Sequence, residues 1–297
     1  MQLTTERKVL LALITVVASL LLATVGAGVA WASNFDCTIN AVALCEGTGN
    51  DDEFEGEDID DGVQGRKDVI KGKGGSDGAD GNGGNDRILG GGGADGDFAV
   101  NDALEGGDGS DFVDGGDGAD NRIQGLAGND TVLGGRGSDE EVFGDFGKDK
   151  VSGGPGNDEE VRGGDNNDTV NGGPGNEDEV SGGDGDDTVM GEAGNDANVE
   201  GGSGDDKVSG GSGDDGNGPG VFGELTGDTG NNTVDGGLGD DKIDARASLA
   251  GEVENIFGGP DNDTIRADDG EVDNIDCGSG NDTVTFDAGV DVVDPNC

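Results

Sequence analysis

The stretch Gly106-Gly107-Asp108-Gly109-Ser110-Asp111-Phe112-Val113-Asp114 runs directly into Gly115-Gly116-Asp117-Gly118-Ala119-Asp120-Asn121-Arg122-Ile123-Gln124. Both spell one phrase, Gly-Gly-x-Gly-x-Asp with a tail centred on Val or Ile, the first nine residues long and the second ten. The alternation continues through Gly125–Leu133, Gly134–Phe143, Gly144–Ser152, Gly153–Arg162, Gly163–Asn171, Gly172–Ser181, Gly182–Met190, Gly191–Glu200 and Gly201–Ser209. Two phrases therefore make one unit of about nineteen residues, as in a chain that stacks coil upon coil. A single Gly-x-Gly-x-Asp carries no weight among 67 glycines, but copies held in register do.

The phrase has a physical reading. Glycines at positions one, two and four let the backbone turn tightly with its carbonyls inward. The position-six Asp adds a carboxylate. A Ca²⁺ ion takes about six to eight oxygens, more than one such turn supplies, so two stacked turns are needed to surround it. The tail forms a short strand with one inward side chain. This gives two apolar columns, one of Val113, Val132, Val151, Val170, Val189 and Val208 and one of Ile123, Val142, Val161, Val180 and Val199. Stacked coils about 4.8 Å apart would let these columns exclude water. The extra residue of each ten-residue phrase is expected always on the second strand. It sets Glu140-Glu141, Glu159-Glu160 and Asp178-Glu179 on one face, opposite Thr131, Lys150, Thr169, Thr188 and Lys207.

These repeats resemble the glycine-rich nonapeptides of the haemolysin-type, or RTX, calcium-binding proteins over most of the chain. The resemblance implies an all-β fold, a right-handed parallel β-roll (β-solenoid) of about nineteen residues per coil, stabilised by Ca²⁺ ions between successive turns. By the same resemblance the metal ligands are Asp86, Asp95, Asp111, Asp120, Asp130, Asp139, Asp149, Asp158, Asp168, Asp187, Asp196, Asp206, Asp215, Asp241, Asp263 and Asp282. Glu177, longer by a methylene, and Asn232, uncharged, depart from the pattern, so weaker or empty sites are expected there. In Gly251-Glu252-Val253-Glu254-Asn255-Ile256 and its echo Gly270-Glu271-Val272-Asp273-Asn274-Ile275, valine takes the Asp place. Calcium is therefore expected on one edge only near the C-terminus, the Asp263 and Asp282 edge, read as nine-residue phrases.

Composition narrows the rest. Only 30% of the residues are hydrophobic and 3% aromatic, while 67 acidic against 16 basic side chains give a formal charge of −51. So little apolar surface cannot offset chain entropy and self-repulsion, so the chain stays unfolded unless a cation folds it. Such acidity excludes nucleic acid and an anionic membrane surface as partners. The absence of histidine removes His-dependent triads and His-Glu-x-x-His zinc peptidases. Gly74-Gly75-Ser76-Asp77-Gly78 matches a nucleophile elbow but lies inside the array without a His partner.

In chain order, Arg7 and Lys8 precede the apolar run Val9–Ala32, which ends Ala30-Trp31-Ala32. Residues 1–32 read as a secretory signal, with an uncleaved membrane anchor as the alternative. Residues 33–71 are an N-terminal cap of degenerate copies. Residues 72–285 are the roll, with loop insertions near 96–105, 216–226 and 245–257, and 286–297 form a C-terminal cap. Four cysteines flank the array, and export makes disulfides plausible. Of three connectivities the local one, Cys37–Cys45 and Cys277–Cys297, suits capped solenoid ends. Asn-Asp-Thr at Asn129, Asn167, Asn262 and Asn281 matches the glycosylation sequon, though the turn itself demands Asn-Asp.

The function expected is calcium binding by a secreted or surface-anchored roll that folds on calcium, with a structural or surface-interaction role and no enzymatic activity. A repeat-only relative or fragment of a secreted RTX enzyme or toxin is one alternative, and an ice- or mineral-binding solenoid another.

Overall fold

A three-residue strand can bury only its middle side chain, so this chain builds its core one residue per strand and gains area by stacking. In the computed structural model the described residues are 33–36, 44–46, 52–55, 69–75, 77–93, 95, 103–217, 224–246 and 250–297, all within the unit Ala32–Cys297. The expected leader, the Cys37–Cys45 pairing and the inserted stretches 96–102, 218–223 and 247–249 lie outside them.

All described secondary structure is strand. Except for Gly78–Asp80 and Gly83–Gly84, which both pair with Leu104–Gly109 in the first sheet, consecutive strands alternate between two parallel sheets of 14 and 13 strands, and each pairs with the equivalent strand one coil away. In the first sheet Ile123 pairs with Val142, Val142 with Val161, Val161 with Val180 and Val180 with Val199. In the second, Val113 pairs with Val132 and the series continues to Val208. The chain is thus a parallel β-solenoid of about 11 turns with roughly nineteen residues per turn. The sheets extend back to Ser33–Asp36 and Leu44–Glu46, so the degenerate N-terminal copies already lie in the stack.

The two apolar columns face each other and, among the described residues, form the core together with Ala245, Ala267 and Cys277. The columns run from Ile70 to Ile275, and their members from Val132 to Val199 are at most 2% exposed. Val and Ile suit these places because β-branched side chains are stiff and pack against like neighbours on a pleated surface. Coil length departs from nineteen in several places, being 18 between Ile70 and Ile88 and between Leu225 and Ile243, and longer in others. Ala79 pairs with Leu104, Val199 with Leu225 and Val208 with Val234, while Ile243 pairs with Ile265 and Val234 with Ile256.

The extra residue does not always fall on the second strand. It separates Asp120 from Ile123 and its equivalents up to Asp196 and Val199, but beyond the insertions Ile243, Ile265 and Val284 follow Asp241, Asp263 and Asp282 at two positions. Their strands nevertheless stay in the first sheet. Asp241, Asp263 and Asp282 therefore continue the edge of the ten-residue phrases, not that of the nine-residue ones.

Outside the core, Glu141, Glu160 and Glu179 stack in register. Arg122 pairs with Glu141 at 2.7 Å and Arg162 bridges Glu179 and Glu160 at 2.8 and 3.4 Å, so this acidic face is partly neutralised from within.

Candidate cation site

Each position-six carboxylate except that of Asp282 is buried beneath the turn that carries it, and together they form two ladders. Along the first, the main-chain N–H of Asp77 donates to Asp95 Oδ1, Asp95 to Asp120, Asp120 to Asp139 and Asp139 to Asp158, at 2.7–2.9 Å. Glu177 resumes it, donating to Asp196, and Asp215, Asp241, Asp263 and Asp282 follow. The second ladder runs in the same way through Asp86, Asp111, Asp130, Asp149, Asp168, Asp187, Asp206 and Asn232. It continues through Glu254, Asp273 and Asp291. All sixteen aspartates expected from the sequence stand in one ladder or the other.

The N–H bond satisfies Oδ1 and leaves Oδ2. In Asp273 and in fourteen of the sixteen, from Asp95 to Asp263, Oδ2 is buried with no hydrogen-bond partner. A buried, unpaired carboxylate oxygen is costly. Its surroundings show what could offset that cost. A Cβ placed on Gly134 would stand 2.5 Å from both Asp139 Oδ2 and the carbonyl oxygen of Gly153, one coil on. Gly182 is the same, with Asp187 Oδ2 and the Gly201 carbonyl each at 2.5 Å. Two oxygens of adjacent coils thus converge beside the position-one glycines other than Gly172 and Gly227, in a cradle that any larger side chain would fill. Among the described residues no three acidic side chains converge as a metal cluster. An ion in such a cradle would draw most of its shell from main-chain carbonyls, as a hard cation accepts.

Burial is the main cause of the raised pKa values along the ladders, opposed by the N–H bond each carboxylate accepts. It pushes Asp120, Asp130, Asp168, Asp206, Asp215 and Asp241 to about 7, and Asp139, Asp158, Asp187 and Asp263 to about 6.

The two departures break their ladders differently. Glu177 sends its carboxyl past the Gly172 cradle towards Gly175, and burial, Asp196 and Asp158 push it up to about 10. Asn232 accepts the Asp206 N–H on Oδ1 at 2.8 Å, so its Nδ2 faces the cradle and donates to Glu254 Oε1 at 3.2 Å.

The valine reading of the C-terminal edge is overturned. Glu254 and Asp273, 1% and 0% exposed, hold the rungs, whereas Val272 is 44% exposed. Counting nineteen from Val253 to Val272 kept the beat but took the neighbour of each carboxylate, because the turns there are longer. Asp77 was also missed, though it is position six of the Gly72 phrase. A further element went unread: position-five side chains accept the N–H of position five one coil away, as Asn129 does from Lys148 and Asn157 from Asn176. The sequon asparagines serve this outer ladder, Asn262 accepting from Asn281 at 3.0 Å.

Cys277 takes position one of the last first-ladder turn. Its carbonyl stands opposite Asp263 Oδ2 as a glycine carbonyl does elsewhere. Its side chain is buried and placed to bond Cys297, with the Cα atoms 5.3 Å apart.

A parallel solenoid with paired carboxylate ladders under glycine turns defines a class of repeat roll. The model of one family, described as RTX calcium-binding nonapeptide repeat (4 copies), matches residues 64–96, 99–121, 119–141, 141–160, 162–197, 198–216, 224–247, 251–271 and 272–293. The chain belongs to this family. No curated protein matches it.

Proposed function

We propose that this chain is an exported calcium-binding roll that folds when Ca²⁺ fills its cradles and then serves as a structural or surface-interaction module without catalytic activity. The observation that carries the reading is the repeated pair of a buried, unpartnered carboxylate oxygen and a carbonyl of the next coil. The ladder aspartates would hold the ions, with Asp77, Glu254 and Asp273 joining those expected from the sequence. The ion would supply the positive charge that the N–H bonds to Oδ1 leave unmet. Export rests on the apolar run near the N-terminus and on the Cys277–Cys297 placement, which suits an oxidising compartment.

The test is circular dichroism during a calcium titration. In chelator the chain is expected to be largely disordered, because two columns one residue thick cannot offset chain entropy and the repulsion of a formal charge of −51. In roughly millimolar Ca²⁺, the range of extracellular calcium modules, it becomes β-rich with a Hill slope well above one, since neighbouring sites share turns. Mg²⁺ does not substitute. An equally β-rich spectrum in excess chelator sinks the proposal.

A further inference from the structure

The two sheets differ on their outer faces. Side chains alternate along a strand, so Thr131, Leu133 and Gly135 point outward where Val132 and Gly134 point inward. Register stacks such residues into three outer columns on the second sheet. One is bulky, with Thr131, Lys150, Thr169, Thr188 and Lys207. The middle one holds Leu133, Ser152, Asn171, Met190 and Ser209. The third is nearly bare: Gly116, Gly135, Gly154 and Gly173 stack on one another's carbonyls, and Glu192, tied to the Asn171 amide at 2.9 Å, ends the row. That bare backbone is the floor of an open groove of about 370 Å³, with Leu133 and Ser152 on one side and Arg136 and Pro155 on the other.

The fold does not demand this groove. The matching place on the first sheet is taken by Leu126 and Asp145, each at φ 73°, so the backbone there tolerates a side chain. Acid is missing from the face as well. From the coil of Leu133 to that of Ser209 the three columns carry Lys150 and Lys207 against one acid, Glu192, in a chain with 67 acidic and 16 basic side chains. The middle column turns acidic directly outside this span, at Asp114 and Asp235. The first sheet instead stacks Glu141, Glu160 and Glu179 in register.

We propose that this face docks a second copy of the chain, the two rolls lying side by side about a two-fold axis parallel to the stack. Rotation about such an axis reverses strand direction and keeps each coil level with its mate. The middle column then faces itself, and the bulky column of each copy lies along the glycine column of the other, Lys150 over Gly154 and Thr188 beside Glu192. The face is thus self-complementary, as a two-fold contact requires. Lys207 stands one coil, about 4.8 Å, from Glu192 of the other copy, within reach of an ion pair. Charge selects the occupant. Two strongly acidic chains repel, and a face this poor in acid is where they can approach. Five coils about 4.8 Å apart and strands of six residues give a face of roughly 500 Å², so a pair buries about 1,000 Å², enough for a weak, reversible dimer. The face exists only in the folded roll, so the dimer rests on the reading that calcium folds the chain.

Sedimentation velocity on the calcium-loaded full chain, with circular dichroism on the same sample, tests this. A concentration-dependent equilibrium of monomer and dimer is expected. S152D is the discriminating variant: Asp114 and Asp235 already stand in its column, so the coil accepts Asp, yet across the axis two carboxylates would face each other. It is expected to raise the dimer Kd roughly tenfold or more with the calcium midpoint unchanged. S181D, the matching change on the first sheet beside Glu200, leaves the dimer intact. Because the middle column meets itself, S152C is expected to give a disulfide-linked dimer on mild oxidation, beyond anything the wild-type chain gives. A β-rich chain still monomeric at about 1 mM, its face left to some other partner, overturns the proposal, and so does a dimer that S152D does not weaken or that S181D weakens equally. Loss of the β-rich spectrum of the wild-type chain in calcium sinks the calcium reading instead. If S152D alone does not fold, S152C decides, and no crosslinked dimer overturns the face.

Discussion

Asn232 shows how much one atom decides. Its neighbours on the ladder present a carboxylate oxygen to the cradle, whereas its amide nitrogen stands there and binds Glu254 at 3.2 Å. That rung is held without an ion, by a hydrogen bond between buried groups. Replacing the amide with a carboxylate, N232D, would set two acids face to face at this rung. Without calcium they repel; with calcium the pair becomes a site. N232D is expected to bind about one more ion per chain at saturation and to fold over a steeper calcium range, measured by equilibrium dialysis and circular dichroism. Unchanged stoichiometry would count against the cradle reading. Glu177 is the opposite case. Its carboxyl misses the cradle and burial keeps it protonated at neutral pH, so it offers an ion nothing. E177D restores the shorter arm and is expected to lower the calcium midpoint, and a midpoint that stays put or rises would show that the extra methylene of Glu177 does not matter.

At the scale of the turn and its ladder, proton and calcium compete for the same oxygens. Burial pushes Asp120 and Asp130 up to about 7 and Asp139 and Asp158 up to about 6, against an ordinary value of 3.8. A carboxyl raised in the folded state adds stability that is full below about pH 4 and is lost as the pH climbs through about 7. Without calcium, acidification from pH 7.5 to 5 is therefore expected to increase β structure in circular dichroism, and the calcium midpoint to rise over the same interval. A calcium midpoint independent of pH between 5 and 7.5 would contradict the buried ladders. Packing makes a matching demand. A Cβ on Gly153 would meet Asp158 Oδ2, and the Gly172 carbonyl at 2.6 Å, so G153A should cost about 1–3 kcal/mol, as overpacking does, and raise the midpoint. The same contrast explains what the sequence disclosed. Where glycines precede an Asp at fixed offsets, as from Gly106 to Ser209, strand, turn and inward carboxylate could all be read. Once Ala245 and Ala267 replaced glycine and the turns lengthened, Glu254, Asp273 and Asp291 lost their markers and the neighbouring valines took their places in the count. The role of position five was hidden for another reason: Asn, Asp and Ser alternate there, and only the stacked coils show that all three accept the same N–H.

Across the whole solenoid each coil touches only its neighbours, so stability is a sum of local terms and interfaces. An ion in mid-stack joins coils on both sides, and D158A is accordingly expected to raise the calcium midpoint more than D282A. Equal shifts would argue against nearest-neighbour coupling. At the turn that carries Asp282, Cys277 stands in the glycine place. The strand before it, Asn274–Asp276, and the last strand, Val292–Val293, are adjacent in the second sheet. A bond from Cys277 to Cys297 therefore ties the final turn of the first ladder to the last strand of the second sheet, closing off both columns with one link. The structure puts Cys277 on the edge of Asp263 and Asp282. Closing a loop with a sequence separation of 20 contributes roughly 3 kcal/mol by the chain-entropy model. Because the unfolded chain bears most of that effect, the gain appears as a lower calcium requirement for folding. C277S/C297S, or reduction of the wild-type chain, is thus expected to raise the calcium midpoint several-fold while leaving the β-rich spectrum at saturating calcium unchanged. Fragments ending before Asn274 should ignore reductant. A midpoint that does not move on reduction would show that the last coil closes without a covalent link, held by its ions and valines alone.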